Sequence, residues 1–179
     1  FKIAGETAYI YAPLAHRLGL YAIKSELEDL SFKFEHPDAY EKIKHKIIET
    51  ESNRHQLFSN FAQPIEEKLK EKGLEYTMKA RVKTAYSIWR KMQKKNIRFE
   101  EVYDIFAARI VFKCPEGKDE AEMCWSIYNI IVGRYYENSE RLRNWLATAK
   151  PNGYRALHTT VMGPDGQWIE VQIRPEKME

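Results

Sequence analysis

Cysteine is scarce in this chain. Cys114 and Cys124 are the only two among 179 residues, and their spacing matches no metal-ligand motif and builds no disulfide framework. Both are expected to be small apolar residues of a protein kept in a reducing, cytoplasmic compartment. Long apolar runs are missing as well, and nothing approaches the roughly 18 residues that a membrane span needs. The opening FKIAGETAYI carries neither a start Met nor a signal-peptide pattern and reads as mid-helix sequence. The chain is therefore expected to be a piece of something longer. Internal repeats and low-complexity linkers are absent. One local absence says most about partners. From Lys79 to Arg98 there is no Asp or Glu, against eight basic residues: Lys79, Arg81, Lys83, Arg90, Lys91, Lys94, Lys95 and Arg98. With a formal net charge of only +3, such a concentration suits a polyanion, either a nucleotide polyphosphate or RNA. The plainer alternative is a solvated helix face.

What is present is an ordinary globular composition, 44% hydrophobic and 31% charged, long enough to bury a core. Ile3, Ala4, Thr7, Ala8 and Tyr11 keep a helical period that stops near Gly19. Ile23, Leu27, Leu30 and Phe34 make a second stripe, ended by His36-Pro37. Tyr40, Ile43, Ile47, Ile48, Leu57, Phe58, Phe61, Ile65 and Leu69 continue the pattern to Gly73, with a kink or break expected at Pro64. Beyond Gly73, Leu74, Tyr76 and Met78 alternate with polar residues as a half-buried strand does. A helix with Ile88, Trp89 and Met92 follows, then a core strand over Ala107–Phe112. Asp119 is placed to cap a helix that Gly133 stops. Strands over 156–162 and 167–174 are joined by Gly163-Pro164-Asp165-Gly166, a hairpin signal. The expected fold class is α+β, a mixed β-sheet flanked by helices with an N-terminal helical extension.

Several residues carry chemistry. Arg81 and Lys83 sit where a strand gives way to a helix, a junction whose free N–H groups and helix dipole suit phosphate. Lys91 lies on the helix face reached from Ser87. Asp104, at the start of a core strand, can hold Mg²⁺ or serve as a cap. Arg109 interrupts an apolar strand and is expected to point toward phosphate or Asp104. Lys150-Pro151-Asn152-Gly153-Tyr154 is a rigid turn holding a cation, an amide and an aromatic ring together. Tyr154 there either stacks on a base or packs under the loop. His158 is a core histidine or a neighbour of Lys150 and Arg143. In the last strand Ile169, Val171 and Ile173 share one face, and Glu170, Gln172 and Arg174 the other. A carboxylate in mid-sheet needs a metal or a substrate proton to explain it, which makes Glu170 the leading catalytic candidate.

Together these segments resemble the RelA/SpoT family of alarmone synthetase–hydrolases. The matching stretches are YAPLAHRLGLYAIKSELEDLSF at 11–32, RVKTAYSIWRKM at 81–92, YDIFAARIVF at 103–112, AKPNGYRALHTTVMGPDG at 149–166 and IEVQIR at 169–174. The resemblance implies a synthetase fold related to polymerase-β-like nucleotidyltransferases. Here Asp104 and Glu170 stand in for that superfamily's Asp-x-Asp pair, and its Gly-Ser turn is missing. It also implies a helical connector from a hydrolase domain over residues 1–60 and a synthetase domain over 61–179. The hydrolase's own His-Asp dipeptide does not occur. The implied reaction is transfer of pyrophosphate from ATP to the 3′-hydroxyl of GDP or GTP, with Mg²⁺ as cofactor and AMP released, in the stringent response.

Carried over residue by residue, Arg81 stacks on adenine, and Lys83, Lys91 and Arg109 hold the ATP phosphates, with Ser87 in the same set. Asp104 binds Mg²⁺, and Glu170 lies near the metal and acts on the 3′-hydroxyl. Arg143, Lys150 and His158 hold the phosphates of GDP or GTP, Tyr154 stacks on guanine, and Asn152 and Gln172 help place the acceptor. The resemblance further implies a ribosome-associated parent and neither membrane nor DNA as partners. Arg141 and Arg143 resemble the bifunctional members, whereas Asn144 and Pro175 depart from the family pattern. The alternatives are a truncated, non-catalytic nucleotide-binding module and an RNA-binding module. A joint acceptor role puts His158 and Glu170 on one sheet face. A plain four-residue loop would put them on opposite faces, so an extra loop or bulged residue at Gly163 or Gly166, pairing His158 near Gln172, is expected.

Overall fold

The computed structural model describes residues 2–102, 104–148 and 153–178. The chain forms two compact units, Phe1–Ser52 with Lys83–Ile105, and Asn53–Val82 with Phe106–Glu179.

The first unit is helical. Helix α1 (Lys2–Glu6), a π-helical turn (Thr7–Tyr11) and α2 (Ala12–Arg17) run on from one another, the π turn lying just before Pro13, whose missing N–H interrupts the ladder. Gly19, at φ 74°, turns the chain into α3 (Tyr21–Glu35). Pro37 disfavours a helical His36, which sits at φ −134° and ψ 61°, and itself opens α4 (Pro37–Glu49). Helix α6 (Ala85–Lys95) is capped by Thr84 and closed by left-handed Asn96. The core joins Phe32, Ile43, Ala85, Ile88, Phe99 and Val102, with the Phe32 ring 4.8 Å from that of Trp89. The expected α3 stripe is misplaced. Ile23, Leu30 and Phe34 are exposed while Phe32 is only 2% exposed, because the aromatic partners Tyr40, Tyr86 and Trp89 lie on Phe32's side.

In the second unit α5 (Glu51–Glu71, its body from Asn53 on) runs unbroken through Pro64. The lost backbone bond is outweighed by Phe61, Ile65 and Leu69, all fully buried. Tyr135 stacks on Phe61 and donates its hydroxyl to the Phe61 carbonyl at 2.9 Å. The sheet comprises β1 (Tyr76–Val82), β2 (Phe106–Phe112), β3 (Arg143–Asn144), β4 (Leu157–Met162) and β5 (Trp168–Pro175). Its order is β1-β2-β5-β4-β3. The β2–β5 pair is parallel and the others are antiparallel, so the sheet is mixed, as the sequence predicts. Helix α7 (Glu120–Val132), capped by the Asp119 carboxylate on the Ala121 N–H, lies in the crossover between β2 and β4. One sheet face packs against α5 and α7 through Ala108, Ile110, Phe112, Leu157, Val161 and Val171. The opposite face is left for polar residues.

The β4–β5 register decides what that polar face holds. Met162 pairs with Trp168, so the loop is Gly163–Gln167, one residue longer than a plain four-residue turn. The Gly163 N–H donates to the Gln167 carbonyl at 2.8 Å, and Gly166 takes φ 72°, a conformation that glycine adopts without strain. A Cβ at Gly163 would meet Ile169 Cδ1 at 2.7 Å. The consequence is that His158 pairs with Gln172 and Thr160 with Glu170, all on one face, as anticipated. Strand β3 is too short for its sequence to announce.

Candidate active site

Directly paired residues share a face, so the register assembles the polar side of the sheet without further assumption. One row runs Lys79, Arg109, Gln172, His158, Arg143 across all five strands. The next runs Arg81, Ala107, Glu170, Thr160, and a third holds Thr77, Val111 and Arg174. Among the described residues of these rows, five are Lys or Arg and one, Glu170, is a carboxylate. Gln172 donates from Nε2 to Glu170 Oε1 at 2.8 Å, which orients that carboxylate. Arg174 is 9% exposed and hydrogen-bonds the Tyr154 hydroxyl. Tyr154 also meets His158 Nε2 at 3.1 Å, the rings edge-on with centroids 6.1 Å apart. Burial raises the Tyr154 hydroxyl above its ordinary value, against the opposing positive charge of Arg174, Arg109 and Arg81. Arg143 is exposed and folds back on its own turn, donating to the carbonyls of Glu140 and Leu142 at 3.1 and 3.0 Å.

A second cluster lies within the helical unit. The Lys83 N–H bonds the Ile105 carbonyl at 2.8 Å, tying the start of α6 to the segment carrying Asp104. Lys83 Nζ reaches Asp104 Oδ2 at 2.7 Å, and Lys91 Nζ contacts Oδ1. Burial pushes the Asp104 carboxyl up, but the hydrogen bonds and charge of the two lysines outweigh it and hold it at about 2. Asp104 is thus a permanent carboxylate. Thr84 Oγ1 accepts from the Ser87 N–H at 3.2 Å and lies 3.1 Å from Ser87 Oγ, so the first turn of α6 carries a capped N–H and an exposed hydroxyl. Ionised carboxylate oxygens are hard donors that suit Mg²⁺, which takes one or two of them together with substrate phosphates. Asp104, held ionised, has that chemistry.

The structure thus brings Arg81, Arg109, Arg143, Tyr154, His158, Glu170 and Gln172 to one sheet face, and Lys83, Ser87, Lys91 and Asp104 to one region of the helical unit. Lys150 and Asn152, with Pro151 between them, lie outside the described residues. Lys79 and Arg174 were not among the predicted site residues. The alternation Thr77, Lys79, Arg81 was the signal for the first. Arg174 shared Glu170's face, and its bond to Tyr154 had no sequence signal.

A mixed sheet with one helix-covered face and one cationic face around a carboxylate suits a polyanionic ligand. The family profile described as "Region found in RelA / SpoT proteins" matches residues 80–179, and the chain belongs to that family. It is 38% identical over 175 residues to the GTP pyrophosphokinase of Photobacterium angustum, covering 98% of this chain and 23% of that protein. It is 37% identical over 178 residues to the bifunctional (p)ppGpp synthase/hydrolase SpoT of Escherichia coli K12, covering 99% of this chain and 24% of that protein. The chain thus spans about a quarter of the length of these curated relatives. Among solved structures it is similar to the small alarmone synthetase 1 of Bacillus subtilis bound to its product pppGpp. That match has 20% identity and a TM-score of 0.51, covering 77% of this chain and 75% of that one. It shares the fold.

Proposed function

We propose that the chain carries the ATP:GTP/GDP 3′-pyrophosphotransferase activity of a cytoplasmic (p)ppGpp synthetase, with residues 61–179 as the synthetase portion and 1–60 as a connector. The observation that carries this reading is Glu170, one carboxylate set among cations on the polar face of the sheet. Moving a pyrophosphoryl group asks the protein mainly to position two nucleotides and neutralise charge, which a face of this kind suits. Arg81 is assigned to the adenine ring, and Lys83, Lys91 and Arg109 to the ATP phosphates, with Ser87 beside them. Arg143, Lys150 and His158 are assigned to the acceptor phosphates, Tyr154 to guanine, and Asn152 and Gln172 to acceptor placement. Glu170 takes the proton of the 3′-hydroxyl as that oxygen attacks the β-phosphorus and AMP leaves. Asp104 and Glu170 are the carboxylates for Mg²⁺, which supplies charge neutralisation on the phosphates. Lys83 and Lys91, now paired with Asp104, can exchange that carboxylate for phosphate oxygens.

The test is incubation with ATP, GDP and Mg²⁺ followed by separation of nucleotides. AMP appearing together with guanosine tetraphosphate is the expected result. Binding of both nucleotides without product would leave only a nucleotide-binding module, and salt-sensitive RNA binding without either would point to the Lys79–Arg98 run.

A further inference from the structure

Arg174 is the only buried cation among the described residues, 9% exposed, and the proposed reaction gives it no part. It follows Gln172 by two residues in β5 and so shares its face, and Gln172 pairs with His158 in β4. Its guanidinium hydrogen-bonds the Tyr154 hydroxyl, and that hydroxyl lies 3.1 Å from His158 Nε2. What each group can donate gives this chain of three side chains a direction. A guanidinium carries N–H donors and no acceptor, so the Tyr154 oxygen accepts from Arg174. The hydroxyl has a single proton of its own, and His158 Nε2 stands within reach to take it as an acceptor. An imidazole that accepts at Nε2 carries its proton at Nδ1. The two rings also meet edge-on, with 82° between their planes. Held at its hydroxyl and at its ring edge, Tyr154 keeps little rotational freedom, which suits a surface that a base is to stack on. Phosphate oxygens are hydrogen-bond acceptors, and the Nδ1–H tautomer of His158 offers them a donor.

We propose that Arg174 is a positioning residue on the acceptor side. Through the Tyr154 hydroxyl it sets the Tyr154 ring and holds His158 in the tautomer protonated at Nδ1. Arg174 then governs affinity for the guanine nucleotide without touching it. The tautomer stands on the geometry alone; only the identity of the ligand rests on the pyrophosphotransferase reading.

The ¹⁵N imidazole resonances of the wild-type chain, with His158 assigned by comparison with His158→Asn, report the tautomer directly. The wild type shows His158 protonated at Nδ1, and Tyr154→Phe moves the proton at least partly to Nε2. GDP and ATP are then titrated calorimetrically into the wild type, Arg174→Met, Tyr154→Phe and the double variant. Arg174→Met binds GDP about fivefold more weakly, as loss of one net hydrogen bond requires, and binds ATP as the wild type does. Adding Arg174→Met to Tyr154→Phe costs nothing further, because the hydroxyl through which Arg174 acts is already gone. In turnover, Arg174→Met raises KM for GDP by the same factor and leaves KM for ATP unchanged. A wild-type His158 protonated at Nε2 overturns the proposal, and so does failure of the wild type to bind GDP. Full additivity of the two substitutions overturns it, as does an equal loss of ATP and GDP binding with a lowered melting temperature, which marks Arg174 as merely structural. Should Arg174→Met fail to fold, the wild-type and Tyr154→Phe spectra still decide. The Nδ1–H tautomer with coupled GDP binding in a chain that forms no AMP keeps the positioning role and removes the transferase. AMP formation by a chain whose His158 is protonated at Nε2 does the reverse.

Discussion

Replacing Asp104 by Asn separates its electrostatic role from its shape. Holding the carboxyl at about 2 in place of 3.8 corresponds to about 2 kcal/mol of stability at pH 7. Lys83 and Lys91 are 30% and 28% exposed, so screening brings the expected figure to about 1–2 kcal/mol. The folded carboxyl is the stronger acid, so the contribution is complete well above pH 3.8 and is lost as the pH falls from there through about 2. At pH 3 about half of the unscreened figure remains. Asp104→Asn also leaves two ammonium groups facing each other, a penalty that does not change over this range. The gap in unfolding free energy between wild type and Asp104→Asn should therefore narrow by about 1 kcal/mol between pH 7 and pH 3. Urea unfolding followed by tryptophan fluorescence measures it, because Trp89 packs against Phe32 in the same unit. A gap that stays flat, or widens toward low pH, would refute the assignment of Asp104 as an ion-paired carboxylate.

Glu170→Gln keeps the size of the side chain but cannot accept a proton, so single-turnover AMP release should fall about 10²–10⁴-fold with the melting temperature near wild type. Near-normal release from a destabilised Glu170→Gln protein would make Glu170 structural. Tyr154→Ala should weaken guanine-nucleotide binding by about 1–3 kcal/mol and spare ATP. Tyr154→Phe, which keeps the ring and loses only the hydroxyl contacts to Arg174 and His158, should lose less, and equal losses would place the effect in the hydroxyl. Phe61→Ala removes a fully buried ring stacked on Tyr135 and should cost about 3–5 kcal/mol in denaturant unfolding, whereas a loss below about 1 kcal/mol would deny Phe61 its place in the core.

Much of the sheet was legible because strand periodicity has little room for error. In β5, Ile169, Val171 and Ile173 could face only the core once Glu170 and Gln172 faced away. The five-residue loop followed from requiring His158 and Glu170 on one side. Helix faces were harder to read. In α3 the residues Ile23, Leu30 and Phe34 have the right spacing, yet Phe32 is buried, because aromatic partners distant in sequence chose the face. That α5 continues through Pro64, where a kink or break was expected, was not legible because the tertiary contacts of Phe61, Ile65 and Leu69 are invisible to local propensity. Of the candidate site, the residue types were legible, but the Asp104 ion pairs and the Arg174–Tyr154 bond depend on segments 13 to 21 and 20 residues apart coming together.

Strand β5 is the last strand in sequence, yet it lies between β2 and β4 in the sheet. Ala107 meets Glu170 and Arg109 meets Gln172, partners separated by more than 60 positions, so this seam forms later than the β1–β2 and β3–β4 pairings of the sheet as the chain grows. Until β5 slots in, β2 and β4 each expose an unpaired edge, and the cationic face lacks its carboxylate. During synthesis the half-built sheet is therefore at its most prone to misassociation. Insertion of a single strand closes both edges and completes the polar face in the same step.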